Sequence, residues 1–359
     1  MKLLFVIPAL HAGGAERQMT LLCNGMARRG HDVLLAYFYA HDPIFLADLD
    51  PLVRTKWLAK RYGKRANLKL FADLVRLLRS ERVDAVQSFL AHANLLARSA
   101  GALCRTPALA GFRSRWAGGR LWLWTERALA PFTAAAVGNS HDIVEEAISR
   151  FGVRRMYYLP NIIDTRRFTY QERRIDGGVR FVMVARYVEE KNHRFALRLV
   201  EALGRRAVPV RLDCYGLIGD RRYHAELSRE VQDSDLASWV RLHEAEADLP
   251  ARLREHHFMI FPSRLREGTP NAVLESLASG LPVVLADHFR GESYAAHCLS
   301  VPIDDVAEGA KLVQDAIRSY DTPRARARRE TARNYVESEH DMDAVCYRYE
   351  EILRTVVRE

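Results

Sequence analysis

Two glutamates eight residues apart, Glu267 and Glu275, are the pair in this sequence whose spacing most favours a catalytic or ligand-binding site. The first lies in a polar loop, and the second lies one to two turns into a predicted helix. Between them are the backbone N–H groups of Asn271 and Ala272, which a helix N-terminus leaves free to bind phosphate. Carboxylates beside a phosphate can bind sugar hydroxyls, so the arrangement favours a nucleotide sugar. The same two glutamates can also be ordinary solvated charges.

The elements that position this pair form a predicted strand–loop–helix–strand unit. Phe258–Phe261 is a short apolar run, which predicts a buried strand. Thr269 and Pro270 predict a helix start, with a hydroxyl at the N-cap and a proline at the first helical position. Gly280 fits the helix C-cap, and residues 281–285 predict the next strand. Ligands of such parallel units bind at the carboxyl ends of the strands.

A cationic pair, Arg186 and Lys191, follows a second predicted strand over residues 179–184. These side chains can be solvent charges. They can also form a clamp on a diphosphate, because charge-assisted hydrogen bonds to phosphate are strong.

The N-terminal residues predict a β-α-β unit, with strands at 3–7 and 32–38 and a helix at 15–29. Gly13 and Gly14 at the head of the helix permit close approach of an anion, although a tight turn explains them equally well. Without a G-x-G-x-x-G pattern, the sequence does not support a dinucleotide oxidoreductase.

The segment REGTPNAVLESLASGLPVV, residues 266–284, resembles the E-x7-E signature of the retaining glycosyltransferases of family 4. The resemblance covers nearly the whole chain. The residues that carry it most specifically are, in chain order, Gly13, Gly14, Arg186, Lys191, Glu267 and Glu275.

This resemblance implies the GT-B fold, an α/β architecture of two Rossmann-like domains facing each other across a cleft. An N-terminal acceptor-binding domain is expected at residues 1–165 and a C-terminal donor-binding domain at 166–330. Residues 331–359 are expected to form a C-terminal helix that crosses back to the first domain.

The resemblance also implies roles for individual residues. The predicted catalytic residues are Arg186 and Lys191, on the departing diphosphate, and Glu267, on the transferred sugar. The predicted donor-binding residues are Gly13, Gly14, Gly216, Gly268, Thr269, Pro270, Asn271, Ala272 and Glu275, the last on the ribose. The predicted acceptor-side residues are Glu16, His92, Asn94 and Arg113. We expect no cofactor and no metal, because the three D-x-D triplets follow no convincing buried strand.

Four residues in three segments depart from the family pattern. Ile162 and Ala185 stand where the family usually has glycine, and His243 with Glu244 stands in the loop that normally holds the base. Recognition of the base is therefore left open, although a uridine diphosphate sugar is the favoured donor.

The charge of the 359-residue chain is unevenly distributed. The net charge is +9, yet residues 1–165 contain 23 Lys and Arg against 13 Asp and Glu, a net of +10. Ten of these basic residues lie between 54 and 82, and Trp116, Trp122 and Trp124 lie among arginines. A solvated face, an anionic acceptor, nucleic acid and an anionic membrane surface all fit such charge. The tryptophans favour the membrane, and no nucleic-acid motif is present.

Five scattered cysteines without a C-x-x-C pair indicate reduced thiols, and no apolar run reaches the ~20 residues of a membrane span. Together with the resemblance to family 4, these features predict a cytoplasmic, peripheral membrane hexosyltransferase of polysaccharide biosynthesis. Its expected acceptor is a lipid-linked saccharide or another cell-envelope glycan intermediate. A sugar-nucleotide epimerase of the same fold and a non-catalytic polyanion-binding module are the alternatives.

Overall fold

The computed structural model describes residues 1–11, 13–39, 44–58, 64–113, 119–206, 208–246, 248–264 and 267–357, with the backbone alone for 64–66. These residues form two compact units. The first comprises Met1–Ile162 with His340–Glu359, and the second comprises Ile163–Glu339. The sequence places the corresponding boundaries at residues 165 and 330.

The first unit is built on a seven-stranded parallel sheet in the order β3-β2-β1-β4-β5-β6-β7. Its strands are β1 (Lys2–Ala9), β2 (Asp32–Tyr39), β3 (Arg54–Trp57), β4 (Ala85–Phe89), β5 (Ala108–Phe112), β6 (Ala135–Gly138) and β7 (Met156–Tyr158). Its first helices are α1 (Gly14–Arg28), α2 (Lys64–Glu81), α3 (Ala91–Cys104), α4 (Arg120–Leu129) and α5 (His141–Glu146). The central strand β1 is a continuous apolar run because helices cover both faces of the sheet.

The second unit has a six-stranded parallel sheet in the order β10-β9-β8-β11-β12-β13. Its strands are β8 (Val179–Val184), β9 (Val210–Tyr215), β10 (Val240–His243), β11 (Phe258–Phe261), β12 (Val283–Ala286) and β13 (Leu299–Val301). Its helices are α6 (His193–Gly204), α7 (Arg221–Gln232), α8 (Leu249–Arg254), α9 (Asn271–Ala278), α10 (Val306–Arg318) and α11 (Pro323–His340). The strand order reverses between β8 and β11, which is where doubly wound sheets bind their ligands.

A last helix, α12 (Met342–Val357), returns to the first unit. Tyr349 is fully buried there, and its hydroxyl donates to Gln87 at 3.1 Å. Glu350 accepts two hydrogen bonds from the guanidinium of Arg29, at 2.9 and 2.8 Å. The predicted returning helix is thus confirmed. The helical structure is interrupted at Asp341, between α11 and α12.

Three elements differ from the sequence-based prediction. The strand β3 was not predicted, because its four residues are exposed at a sheet edge and show no apolar alternation. The run after Asn139 and Ser140 predicts one helix up to Phe151, but α5 ends at Glu146 and continues as one π-helical turn. Helix α9 begins one residue later than predicted, with Pro270 in extended conformation at the N-cap.

No helix among the described residues is both long enough and apolar enough to cross a membrane. The predicted basic and aromatic residues Lys60, Arg61, Arg115 and Trp116 lie outside the described residues, as do the side chains of Lys64 and Arg65.

Candidate active site

The loops after β8 and β11 contact each other at the switch point of the second sheet. The backbone N–H of Arg264 donates to the carbonyl of Glu190 at 2.8 Å. The side-chain amide of Asn192 donates to the carbonyl of Pro262 at 3.2 Å. Because β8 and β11 are neighbours in the sheet, residues far apart in the sequence meet here.

Lys191 and Glu267 form an ion pair between these two loops. The ammonium group of Lys191 hydrogen-bonds both carboxylate oxygens of Glu267. The hydroxyl of Ser263 donates to the same carboxylate at 2.6 Å, and the ammonium lies 5.5 Å from the ring centroid of Phe261. The two side chains are 14% and 30% exposed, so the pair is partly shielded but open to a ligand.

Arg186 follows β8 by two residues, and its side chain is exposed. No carboxylate in the described part of the chain is paired with its guanidinium. The structure therefore brings Lys191 and Glu267 together and leaves Arg186 available beside the same strand end.

Gly216 supports this loop by its lack of a side chain. A Cβ atom there would lie 1.9 Å from the carbonyl oxygen of Ala185, at the end of β8. Ala185 itself does not have a positive φ, so its methyl group is tolerated where the family usually has glycine. The structure gives Gly216 a packing role at this strand end.

Helix α9 begins at Asn271, directly after the loop that carries Glu267. Asn271 and Ala272 at its start are partly exposed, whereas Gly268, Thr269 and Pro270 are buried. Glu275 is 2% exposed, which overturns the alternative that it is a solvated helix charge.

A carboxylate between two histidines, which the sequence did not predict, lies in β9 of the second sheet. Asp213 contacts His243 Nε2 at 2.6 Å and His256 Nε2 at 3.2 Å. The ring of His243 stacks on Tyr215 at 4.5 Å, and all four residues line a cavity of about 510 Å³. Burial raises the pKa of Asp213, but the hydrogen bonds from both histidines lower it to about 2. The only sequence signal was the departure at His243, because 30 and 43 residues separate the partners from Asp213.

In the first unit, Gly13 and Glu16 lie together at the start of α1. A Cβ atom on Gly13 would lie 2.1 Å from Oε2 of Glu16, so glycine permits the carboxylate to fold over the backbone. Gly14, the first residue of the helix, is exposed.

The acceptor-side candidates after β4 and β5 differ in exposure. Asn94 is 1% exposed. The hydroxyl of Ser88 donates to Asn94 Oδ1 at 2.8 Å, and Asn94 Nδ2 donates to the carbonyl of Gly111 at 3.0 Å. Its side chain therefore ties β4 to β5 and is closed to solvent. His92 is partly exposed and lies edge-on against Phe38, with 5.4 Å between the ring centroids.

Arg113 follows β5 and is held by two contacts. Its guanidinium donates to Asn161 and lies 4.8 Å from the ring centroid of Phe89. Burial lowers the pKa of Arg113 to about 9. Within the described ranges, no group of three or more His, Cys, Asp and Glu side chains could hold a metal ion.

Comparison with known families matches both halves of the chain. Residues 12–167 match the family described as Glycosyltransferase Family 4, and residues 178–319 match Glycosyl transferases group 1. The chain belongs to glycosyltransferase family 4. This is a family of enzymes, and Glu267 and Glu275 lie within the matched part of the second unit.

Two curated relatives of this family 4 chain align with part of it. EpsF of Bacillus subtilis (strain 168), which carries the name of a glycosyltransferase, is 32% identical over 37% of this chain and 36% of the relative. The second relative is the GalNAc-alpha-(1->4)-GalNAc-alpha-(1->3)-diNAcBac-PP-undecaprenol alpha-1,4-N-acetyl-D-galactosaminyltransferase of Campylobacter jejuni. It is 27% identical over 45% of this chain and 46% of the relative. The chain thus spans less than half the length of the curated relatives it matches.

Solved structures show that the family 4 chain has the GT-B fold. The structure of Anabaena Alr3699/HepE in complex with UDP and glucose matches with a TM-score of 0.83 at 18% identity. The match covers 99% of this chain and 100% of the HepE chain. A glycosyltransferase from Rickettsia africae ESF-5 matches with a TM-score of 0.85 at 13% identity, over 100% and 99% of the two chains.

Proposed function

We propose that this chain transfers a sugar from a nucleoside diphosphate sugar to a glycan acceptor with retention of anomeric configuration. The observation that carries the proposal is the contact of Lys191 with Glu267 at the switch point of the second sheet. A cation suited to a phosphate and a carboxylate suited to sugar hydroxyls are adjacent there. Arg186 is exposed after the same strand, and α9 follows the Glu267 loop.

The chemistry of the departing group gives these residues their roles. As the bond between sugar and diphosphate breaks, negative charge grows on the phosphate and positive charge on the sugar. Lys191 uses two of its three N–H donors on Glu267, which leaves one for a phosphate oxygen. Arg186 and the N–H groups of Asn271 and Ala272 add further donors. Groups oriented before the reaction stabilise such charge without the cost of reorganisation.

Retention is expected from membership of family 4, and the way Glu267 is held supports a front-face reaction. Its oxygens accept hydrogen bonds from Lys191 and Ser263, so the carboxylate is positioned to bind hydroxyls rather than to attack the sugar. In a front-face reaction, the acceptor hydroxyl attacks from the side of the leaving group. The departing phosphate oxygen then takes the acceptor proton, and no covalent intermediate on a second carboxylate is needed.

The donor and the acceptor are inferred from the relatives. HepE was crystallised with UDP and with UDP-glucose, which favours a uridine diphosphate sugar. The name of the Campylobacter relative includes an undecaprenol-linked glycan, which favours a lipid-linked acceptor. The five free cysteines and the basic first half fit a protein at the inner face of the cytoplasmic membrane.

Incubation with uridine, guanosine and adenosine diphosphate sugars tests the proposal. Nucleotide release should occur with one base class, and the new glycosidic bond should keep the donor's anomeric configuration by NMR. Lys191→Met should abolish most of this release. Arg198→Met, which removes an exposed arginine of α6, should not change it. Conversion of the donor to an epimer without release would favour the epimerase, and tight polyanion binding without turnover would favour the binding module.

A further inference from the structure

Helix α4 exposes apolar side chains that a surface helix normally buries, and it buries a charged one. Its glutamate, Glu126, is 1% exposed, whereas Leu121 is 80% exposed and Trp124 is 69% exposed. Surface helices of globular proteins normally bury their apolar side chains and expose the charged ones. The outward face of α4 therefore requires an explanation other than packing within the first unit.

A buried ion pair fixes this orientation. Arg98 of α3 is 0% exposed, and its guanidinium donates to Glu126 at 2.6 Å and to the carbonyl of Asn94 at 3.0 Å. Burial lowers the pKa of Arg98, which the charge of Glu126 opposes. Turning α4 over would break this pair and leave a buried charge without a partner, which is strongly destabilising.

The outward residues form one continuous apolar stripe, which we call the α4 face. It consists of Leu121, Trp124, Ala128 and Phe132, at the spacing of residues that share one side of a helix. Phe132 is 55% exposed and lies in the 3₁₀ turn that continues α4. Trp122, 38% exposed, lies beside the stripe.

Arginines flank the α4 face. Arg120 and Arg127 lie two helical turns apart, and both are exposed. The Nε of Arg127 donates to the carbonyl of Arg150 at 2.8 Å, which places the neighbouring turn with Ile148 beside the helix. Ile148 is 50% exposed, so this turn adds apolar surface on the arginine side.

We propose that the α4 face binds the surface of an anionic lipid bilayer. Tryptophan rings are suited to the headgroup level, and arginines beside them can reach lipid phosphates while their stems cover apolar surface. The net charge of +10 over residues 1–165 attracts the whole first unit to such a surface. The inference rests on the proposed function in one respect, because it gives the transferase a way to reach a lipid-linked acceptor. It places the contact on α4, independently of the basic stretch at 60–65.

Flotation with lipid vesicles tests this proposal without any turnover. The chain should float with vesicles of phosphatidylcholine and phosphatidylglycerol, and it should stay at the bottom with phosphatidylcholine alone. Trp124→Ser should lower the vesicle partition coefficient about tenfold. Arg120→Gln and Arg127→Gln should each lower it roughly fivefold at low salt. Leu52→Ser, which removes a leucine that is 64% exposed elsewhere in the first unit, should have no effect.

Two measurements distinguish loss of membrane binding from loss of the fold. Equal melting temperatures of the variants show that the fold is intact, and the fluorescence of the wild type should shift to the blue with anionic vesicles but not in Trp124→Ser. Equal flotation of Trp124→Ser and wild type would overturn the proposal. The proposal would also be overturned if the wild type self-associated but did not bind vesicles, and Trp124→Ser abolished this self-association. The α4 face would then be a contact between copies of the chain.

The inference and the proposed function fail separately. A chain that floats but releases no nucleotide from any donor contradicts the transfer reaction alone. A chain that transfers sugar to a soluble acceptor but never floats contradicts the membrane contact alone.

Discussion

The ammonium group of Lys191 hydrogen-bonds both carboxylate oxygens of Glu267, 76 residues further along the chain. The contact joins the loops that follow β8 and β11, the neighbouring strands at which the order of the second sheet reverses. The cation predicted for the phosphate is thus paired with the carboxylate predicted for the sugar.

Replacing Glu267 separates these two roles. Glu267→Gln keeps the shape of the side chain but removes the charge that engages Lys191, so UDP should bind at least as tightly as before. The sugar loses its carboxylate, and kcat should fall about a hundredfold, as for other groups that stabilise a transition state. Steady-state kinetics and calorimetry measure both effects. Glu201→Gln, on the surface of α6, is the control. A raised KM with an unchanged kcat would show that Glu267 serves donor binding instead.

Glu275 should serve donor binding. Because it is 2% exposed within α9, its carboxylate is positioned by the surrounding structure before a donor arrives. We expect Glu275→Gln to raise the donor KM about tenfold while kcat changes little, since a ribose contact is made equally in ground state and transition state. Thermal melts must show that the variant is folded. A collapse of kcat at unchanged KM would reverse the roles of the two glutamates.

The unit around α9 could be predicted from sequence because each of its signals is local. The apolar run before Pro262, the proline near the helix start and Gly280 after its end all mark boundaries within a few residues. Gly280 indeed has a positive φ of 76°, the conformation that favours glycine.

Contacts across the sheet could not be predicted in the same way. The pairing of Lys191 with Glu267 depends on β8 lying beside β11, and the two histidines around Asp213 depend on β9, β10 and α8. The contacts of Asn94 could not be predicted for the same reason. Its position after β4 fits an acceptor site, but its amide is used by hydrogen bonds to Ser88 and Gly111 of β4 and β5.

The stability of the second unit should fall in mild acid because of His193. This residue is fully buried against Tyr187, and burial lowers its pKa to about 4. In the unfolded chain its pKa is about 6.5, so the unfolded state takes up a proton first. The stabilising contribution is present above pH 6.5 and is lost as the pH falls towards 4.

This loss can be measured by urea unfolding between pH 7 and pH 4. His193 should contribute up to about 3 kcal/mol to the decrease in the free energy of unfolding. His193→Phe keeps a ring against Tyr187 but cannot titrate, so its stability should depend less steeply on pH. A variant with the wild-type slope would show that other groups control acid stability.

Transfer should survive the removal of divalent cations. Arg186, Lys191 and the N–H groups at the start of α9 supply the positive charge that opposes the departing diphosphate. Turnover in EDTA should match turnover in buffer. If EDTA abolishes turnover and magnesium or manganese restores it, the diphosphate is held differently.

Binding of UDP to the wild type, Arg186→Ala and Lys191→Ala, measured by calorimetry, tests the central claim most directly. Each variant should lose roughly 1.5 to 3 kcal/mol of binding free energy, because each lacks one charge-assisted contact to phosphate. Arg198→Ala should bind UDP like the wild type, since its arginine lies on the exposed surface of α6. If Arg186→Ala and Lys191→Ala both bind UDP with the wild-type Kd, the cationic pair after β8 does not hold the donor diphosphate, and the proposed site is wrong.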